Sequence, residues 1–351
     1  MAGSEPSVHV HLRAGQVIPA HPLALTSRRT LDERRQRALT RYYVDAGAGG
    51  IAVGVHTTQF AIRQPQHDLY RPVLELAAET VRAARVGRDT PFALVAGAIG
   101  DTRQAAHEAE IAAALGYDVV LLGLGAMSSA SDAELIRHCR AVADVLPLFG
   151  FYLQPAVGGR VLGYAFWRQF AEIPRAWAIK IAPFNRYRTL DVVRAVADAG
   201  RDDLVLYTGN DDSILTDLLT PFPVAPEGRP AVRRIMGGLL GQWAVGTRAA
   251  VRLLARVRAA RGPVDSAWLE EGAGLTDMNG AIFDAAHDFA GCIPGIHEVL
   301  RRQGLLAGTW CLDPDETLSP GQGDDITRVC RQYPALTDDA FMAEKLDDWL
   351  R

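Results

Sequence analysis

One pattern recurs eight times along this 351-residue chain: a short apolar run, then a segment with helical spacing and a cap at its start. The apolar runs are Gln16 to Ala20, Gly50 to Val55, Phe92 to Ile99, Asp118 to Leu124, Leu148 to Gln154, Ala176 to Ala182, Leu204 to Thr208 and Arg234 to Gly238. Helix starts are marked by two capping boxes, Thr30-Leu31-Asp32-Glu33 and Ser131-Asp132-Ala133-Glu134, and by Asp101 with Gln104. Asn210 and Asp211 read as an N-cap for Asp212 to Leu219. Eight strand–helix units in about 250 residues are the requirement of an α/β (β/α)8 TIM barrel. A doubly wound open sheet would need a Gly-rich phosphate turn between an early strand and its helix. The run Gly47 to Gly50 instead precedes a strand. The Gly262-Pro263 pair marks a boundary. The expected organisation is an N-terminal segment (1–14), a barrel (15–262) and a C-terminal helical extension (263–351).

Formal net charge is −4 and no basic block stands out, so no nucleic-acid partner is expected. No uncharged apolar run reaches 18 residues, so no membrane span is expected. The first residues lack the layout of a secretion signal, and the four cysteines show no CxxC spacing. Both fit a cytoplasmic protein with reduced thiols.

The sixth run, Ala176-Trp177-Ala178-Ile179-Lys180-Ile181-Ala182, carries a lysine in its middle. Strand alternation puts Lys180 on a face with Ala176, Ala178 and Ala182. The chain has 37 basic residues, yet only Lys180 and Lys345 are lysines. Arginine cannot shed its proton in a protein, whereas a desolvated lysine can become a neutral amine and add to a carbonyl. A buried lysine in a chain that otherwise uses arginine points to imine chemistry, with no cofactor needed.

Barrel chemistry collects at the C-terminal ends of the strands. Those ends present His21, His56-Thr57-Thr58, Tyr152, Lys180, Gly209-Asn210-Asp211 and Gly237-Gly238. Tyr152 is placed on a face with Gly150 and Gln154 and is expected to point inward as the proton shuttle. Thr57 and Thr58 offer hydroxyls and N–H groups for a carboxylate. Gly237 and Gly238 would let a ligand approach the backbone. His21 and His56 are candidate pocket residues. His9 and His11 raise a metal-hydrolase plan, but that plan needs further histidines on strands after the lysine. The only later ones are His287 and His297 in the helical tail. The pair is assigned to an exposed N-terminal strand, and no metal is expected.

The order Val55-His56-Thr57-Thr58, Tyr152, Ile179-Lys180-Ile181, Thr208-Gly209-Asn210-Asp211 resembles the dihydrodipicolinate synthase / N-acetylneuraminate lyase family. Pro294 to Leu300, followed by Gly304-Leu305-Leu306, resembles that family's C-terminal helical segment. The resemblance implies a Schiff base between Lys180 and a small-molecule 2-oxo acid, either pyruvate or a sugar-derived keto acid. It also implies a proton role for Tyr152, a carboxylate cradle at Thr57-Thr58 and a homo-oligomer, tetramer or dimer. Arg160 is a loose match to an arginine that follows the family's tyrosine. The departures are His56 in place of a glycine, Gln59-Phe60 in place of Gly-Glu, and Leu124 to Ser128 where the synthases carry Pro-Tyr-Tyr. They motivate an alternative: a degenerate barrel that binds a keto or sugar acid without turnover.

Overall fold

The computed structural model describes residues 7–87, 89–260 and 262–351. Eight parallel strands form a nearly closed barrel. They are β1 (Val17–Pro19), β2 (Gly50–Val53), β3 (Ala93–Ala98), β4 (Val119–Leu122), β5 (Leu148–Leu153), β6 (Ala176–Ala182), β7 (Val205–Thr208) and, after a small hairpin of β8 (Phe222–Val224) and β9 (Ala231–Arg233), β10 (Ile235–Leu240). β1 pairs with β10, and a bridge from Ala20 to Ala52 joins β1 to β2, which brings the sheet round on itself. The hairpin occupies the Pro-rich stretch that reads in the sequence as a plain connection; Pro223 sits within its short antiparallel pair.

The helices are α1 (Ser7–Arg13), α2 (Glu33–Asp45), α3 (Tyr70–Ala84), α4 (Thr102–Ala114), α5 (Asp132–Ala143), α6 (Tyr164–Phe170), α7 (Arg186–Asp198), α8 (Ile214–Leu219) and α9 (Thr247–Ala259). The C-terminal set is α10 (Ser266–Ile282), α11 (Cys292–Arg302), α12 (Gln322–Gln332) and α13 (Asp339–Trp349). The Ser131–Glu134 capping box is present, with each side chain bonded to the other's backbone N–H. The first expected box differs: Asp32, not Thr30, caps α2 by accepting from the Arg35 N–H.

Two apolar layers follow from strand alternation. The barrel interior holds Ile18, Ala52, Val95, Leu121, Phe149, Phe151, Ala178 and Leu239. Leu148, Tyr152, Ile179 and Ile181 face outward against Trp167, Phe170, Val192 and Val193 of the surrounding helices. α1 closes the barrel at the N-terminal ends of its strands. Leu12 is fully buried in the interior layer, and its carbonyl accepts from the Tyr207 hydroxyl at 2.8 Å. His9 and His11 therefore lie on a helix rather than an exposed strand. His9 is buried, stacks on Trp177 at 4.9 Å and bonds the Asp203 carbonyl. His11 bonds the Gly49 carbonyl at 2.7 Å. Both are spent on closing the barrel floor, at the opposite end from the lysine's pocket. Of the expected N-terminal segment, residues 1–6 lie outside the described residues.

Candidate active site

A pocket opens at the C-terminal ends of the strands, enclosing about 540 Å³ of empty space, part of it open to solvent. Lys180 is in its wall, together with His56, Thr57, Gln154, Asp211 and Cys292. The lysine is buried, and its amine stands 4.5 Å from the centre of the Phe151 ring. Among the described residues the amine has no hydrogen-bond or ion-pair partner. Burial lowers its pKa to about 8, against a partial opposing pull from Asp211. Near pH 7 roughly a tenth of the amine is then unprotonated, far more than for an ordinary lysine.

Space for the lysine is made by Gly209 at the end of β7. A Cβ there would lie 2.5 Å from the Lys180 Cε and 2.9 Å from the Ala182 Cβ. Asn210, next in sequence, is fixed below the pocket. It accepts from the Phe184 N–H, and its amide donates to Thr189 and to the buried carboxylate of Asp217. Neither Asn210 nor Asp211 caps α8, whose N-cap is Ser213. Asp211 instead turns into the pocket. Its Oδ1 is shut from solvent and has no hydrogen-bond partner. Burial raises its carboxyl to about 7, opposed by Lys180. The Asp211 carbonyl is gripped by the Asn279 amide of α10 at 2.6 Å.

The expected proton shuttle is displaced. Phe151 pairs with Lys180 across the β5–β6 ladder, and Tyr152 pairs with Ile181. Phe151 therefore shares the lysine's face and Tyr152 points outward. Its ring packs 5.5 Å from Trp167, and its hydroxyl accepts from the Leu162 N–H. Gly150 confirms the parity: a Cβ there would strike Phe170 and Trp167 on the helix side. Tyr207, which pairs with Lys180 on the other flank, sends its hydroxyl down to α1. No tyrosine lines the pocket among the described residues.

The other expected residues divide. His56 and Thr57 line the pocket. Burial, helped by the charge of Lys180, lowers the His56 imidazole to about 4, so it is neutral. Thr58 does not reach the pocket. It is fully buried, donates to the His21 carbonyl at 2.7 Å and accepts from the N–H groups of Gly54 and Val55. His21 is also a structural residue, bonded to the Pro22 carbonyl, the Thr40 hydroxyl and the Gln36 amide. Arg160 is committed to the carbonyls of Met127 and Ala130 in the neighbouring loop. Gly237 and Gly238 serve packing rather than ligand approach: added Cβ atoms would meet the Gln16 backbone and the Trp243 ring. The glycines that do line the pocket are Gly209 and Gly241.

The outer wall comes from beyond the barrel. Phe283, Phe289 and Cys292 are supplied by the end of α10, the link after it and the start of α11. Phe184 and Phe289 meet edge to face at 5.6 Å. Both have left-handed backbones, with φ of 47° and 68°, which bulky residues rarely adopt. The sequence carries no local sign of this wall, because its residues lie some 100 positions from the lysine.

This arrangement of barrel, lysine and helical wall has known counterparts. The fold is that of the dihydrodipicolinate synthase and N-acetylneuraminate lyase barrels. A dihydrodipicolinate synthase from Acinetobacter baumannii, solved with pyruvate, superposes with a TM-score of 0.71 at 17% identity, covering 92% of this chain and 99% of that one. N-acetylneuraminate lyase from Fusobacterium nucleatum gives 0.68 at 14%, with the same coverage of 92% and 99%. By sequence, 4-hydroxy-tetrahydrodipicolinate synthase of Bifidobacterium longum is 26% identical over 203 residues, 57% of this chain. The match spans 62% of that relative's length. No family model matches the chain. The chain resembles that family in fold, while among the described residues its pocket has no inward tyrosine of the kind the resemblance implies.

Proposed function

We propose that the protein is a lyase of the Schiff-base type acting on a small 2-oxo acid. The observation that carries this reading is the unpaired amine of Lys180, buried at the barrel mouth with its pKa lowered to about 8. In the reaction the neutral amine adds to the keto carbon, and loss of water gives a protonated imine. That cation accepts the electron pair released when a C–C or C–O bond beyond it breaks, or stabilises the enamine that forms such a bond. Thr57, whose side chain lines the pocket, is our candidate to receive the acid's carboxylate through its hydroxyl. The solved relatives bound to pyruvate support the substrate class.

The wall favours an apolar substituent on the reacting acid. Phe151, Phe184, Phe283 and Phe289 surround the lysine, and the pocket holds no arginine among the described residues. Pyruvate or an acid with an alkyl or aryl tail fits this lining better than a polyhydroxylated sugar acid, whose several hydroxyls would find few partners beyond His56, Thr57, Gln154 and Asp211.

The test is reductive trapping. The protein is incubated with a panel of 2-oxo acids and borohydride, then weighed and digested. A mass increase on Lys180, absent in Lys180→Arg, is the expected result. No adduct with any acid of the panel would refute the reading. A second reading, binding without turnover, is favoured by the outward position of Tyr152; thermal stabilisation by a keto acid without any adduct would select it.

A further inference from the structure

We propose that Asp211 is the acid–base residue that moves the protons of imine formation at Lys180. The inference rests on the reading of Lys180 as the imine-forming amine and adds a residue to it. Four observations support it. The lysine's face of the barrel offers no hydroxyl from β5, because Phe151 stands there and Tyr152 is turned away. Asp211 lines the same pocket as the amine. Its Oδ1 is buried and unpartnered, which is costly for a carboxylate unless a ligand or a proton satisfies it. Its backbone is held by Asn279, and that of Asp212 by the Thr276 hydroxyl, so α10 fixes where the carboxyl points.

The other candidates are poorly suited. Burial lowers the His56 imidazole, so it is neutral near pH 7 and a poor acid. Burial raises the Cys292 thiol, so it gives its proton up poorly. Thr57 donates only weakly, to the His21 carbonyl at 3.4 Å. The groups that bear on Asp211 are Lys180, Cys292 and Asp212, with the Gln242 N–H. Burial brings carboxyl and amine to about 7 and about 8, so the two titrate together as one pair near neutral pH.

The balance is simple. The neutral amine forms a C–N bond as the carbonyl π pair moves to oxygen, which takes the Asp211 proton. The ammonium proton of the adduct then returns to the carboxylate. Asp211 gives it up again to the departing hydroxyl, and the nitrogen lone pair closes the C=N bond. The sum is carboxylic acid, amine and ketone going to carboxylate, protonated imine and water, with no other reactant. The carboxylate left beside the imine is then ready to take or give the proton of the C–C or C–O step.

The pair must hold one proton in total to act. Below about 7 both groups are protonated and the amine is blocked; above about 8 both are bare and the acid is missing. The rate of adduct formation therefore has a bell shape in pH. Timed borohydride quenching with pyruvate, 2-oxobutyrate and phenylpyruvate, read by mass, measures it. Asp211→Asn should slow the adduct about 100-fold near neutral pH and turn the bell into a single rise to a plateau. Circular dichroism checks that the variant is folded. Asp211→Ala should be slowed likewise and recover rate when formate is added, which a merely structural aspartate would not show. Unchanged rate and pH profile in Asp211→Asn, or no formate rescue in a folded Asp211→Ala, overturns the assignment while leaving Lys180 in place. An absence of adducts in the wild type with all three acids removes the imine reading and this assignment together.

Discussion

The turn after β2 separates two threonines that are adjacent in sequence and different in role. Thr58 is a latch: one donated and two accepted bonds tie His21, Gly54 and Val55 together with no access to water. Thr58→Val should leave those backbone groups unpaired and cost about 2–3 kcal/mol or more. A denaturant titration with unchanged slope and a lower midpoint would show it. Thr57 makes only the long 3.4 Å contact to the same carbonyl and faces the pocket. Thr57→Val should leave stability within about 1 kcal/mol but weaken keto-acid binding about 10-fold, the scale of one hydrogen bond to a charge. Equal stability losses in the two variants would show that both are structural. Gly209 gives a third residue-level test. The Cβ of Gly209→Ala would occupy the lysine's own space at 2.5 Å from Cε. The expected outcome is a folded protein whose Lys180 traps little or no keto acid; trapping at the wild-type rate would show that the side chain has another route into the pocket.

At the scale of elements, the strands and their order are readable from the sequence, whereas strand parity is not always so. β6 alternates small and bulky residues, so the direction of Lys180 is legible. β5, Leu148-Phe149-Gly150-Phe151-Tyr152-Leu153, is apolar on both faces because both are buried, and nothing local says which aromatic ring turns inward. That is why Tyr152 reads as a site residue and Phe151 occupies the position. Asp211 is illegible for another reason: an Asn-Asp pair before a helical run has an ordinary use as a cap, and only the packing of α10 diverts it. The Phe184–Phe289 contact also belongs to this scale, since it joins the link after β6 to the link before α11. Left-handed phenylalanines are held there at a cost of about 1–3 kcal/mol each. Phe289→Ala should admit water to the pocket, so that the Lys180 pKa climbs from about 8 toward its ordinary value and adduct formation at neutral pH slows. Phe289→Gly should lose the same function yet be more stable than Phe289→Ala by about 1 kcal/mol, because glycine accepts the left-handed backbone. An unshifted pH profile in both variants would show that the ring does not keep the pocket dry.

For the molecule as a whole, the question is whether the chain beyond residue 262 is a separate unit, as its sequence boundary suggests, or part of the barrel's own structure. The apolar packing argues for the latter. One continuous cluster contains Leu39, Tyr42 and Tyr43 of α2 with Ile282, Ile296, Val299, Phe341, Met342 and Trp349 of the C-terminal helices. Polar bonds run the same way. Asp338 accepts from the Tyr42 hydroxyl and from the N–H groups of Arg248 and Ala249 at the start of α9, so a C-terminal residue caps a barrel helix. The Trp349 indole donates to Asp45 at the end of α2. Phe283, Phe289 and Cys292 complete the pocket. A chain ended at residue 262 would expose the α2 face to water, strip the Arg248 and Ala249 N–H groups at the start of α9 of their Asp338 partner and open the site on one side. It should therefore be insoluble or lack a cooperative melt, and the full chain should unfold in one transition seen identically by far-UV and near-UV circular dichroism. A soluble 262-residue chain with its own sharp transition would contradict this, and would mean that the barrel's stability does not depend on the segment that walls its pocket.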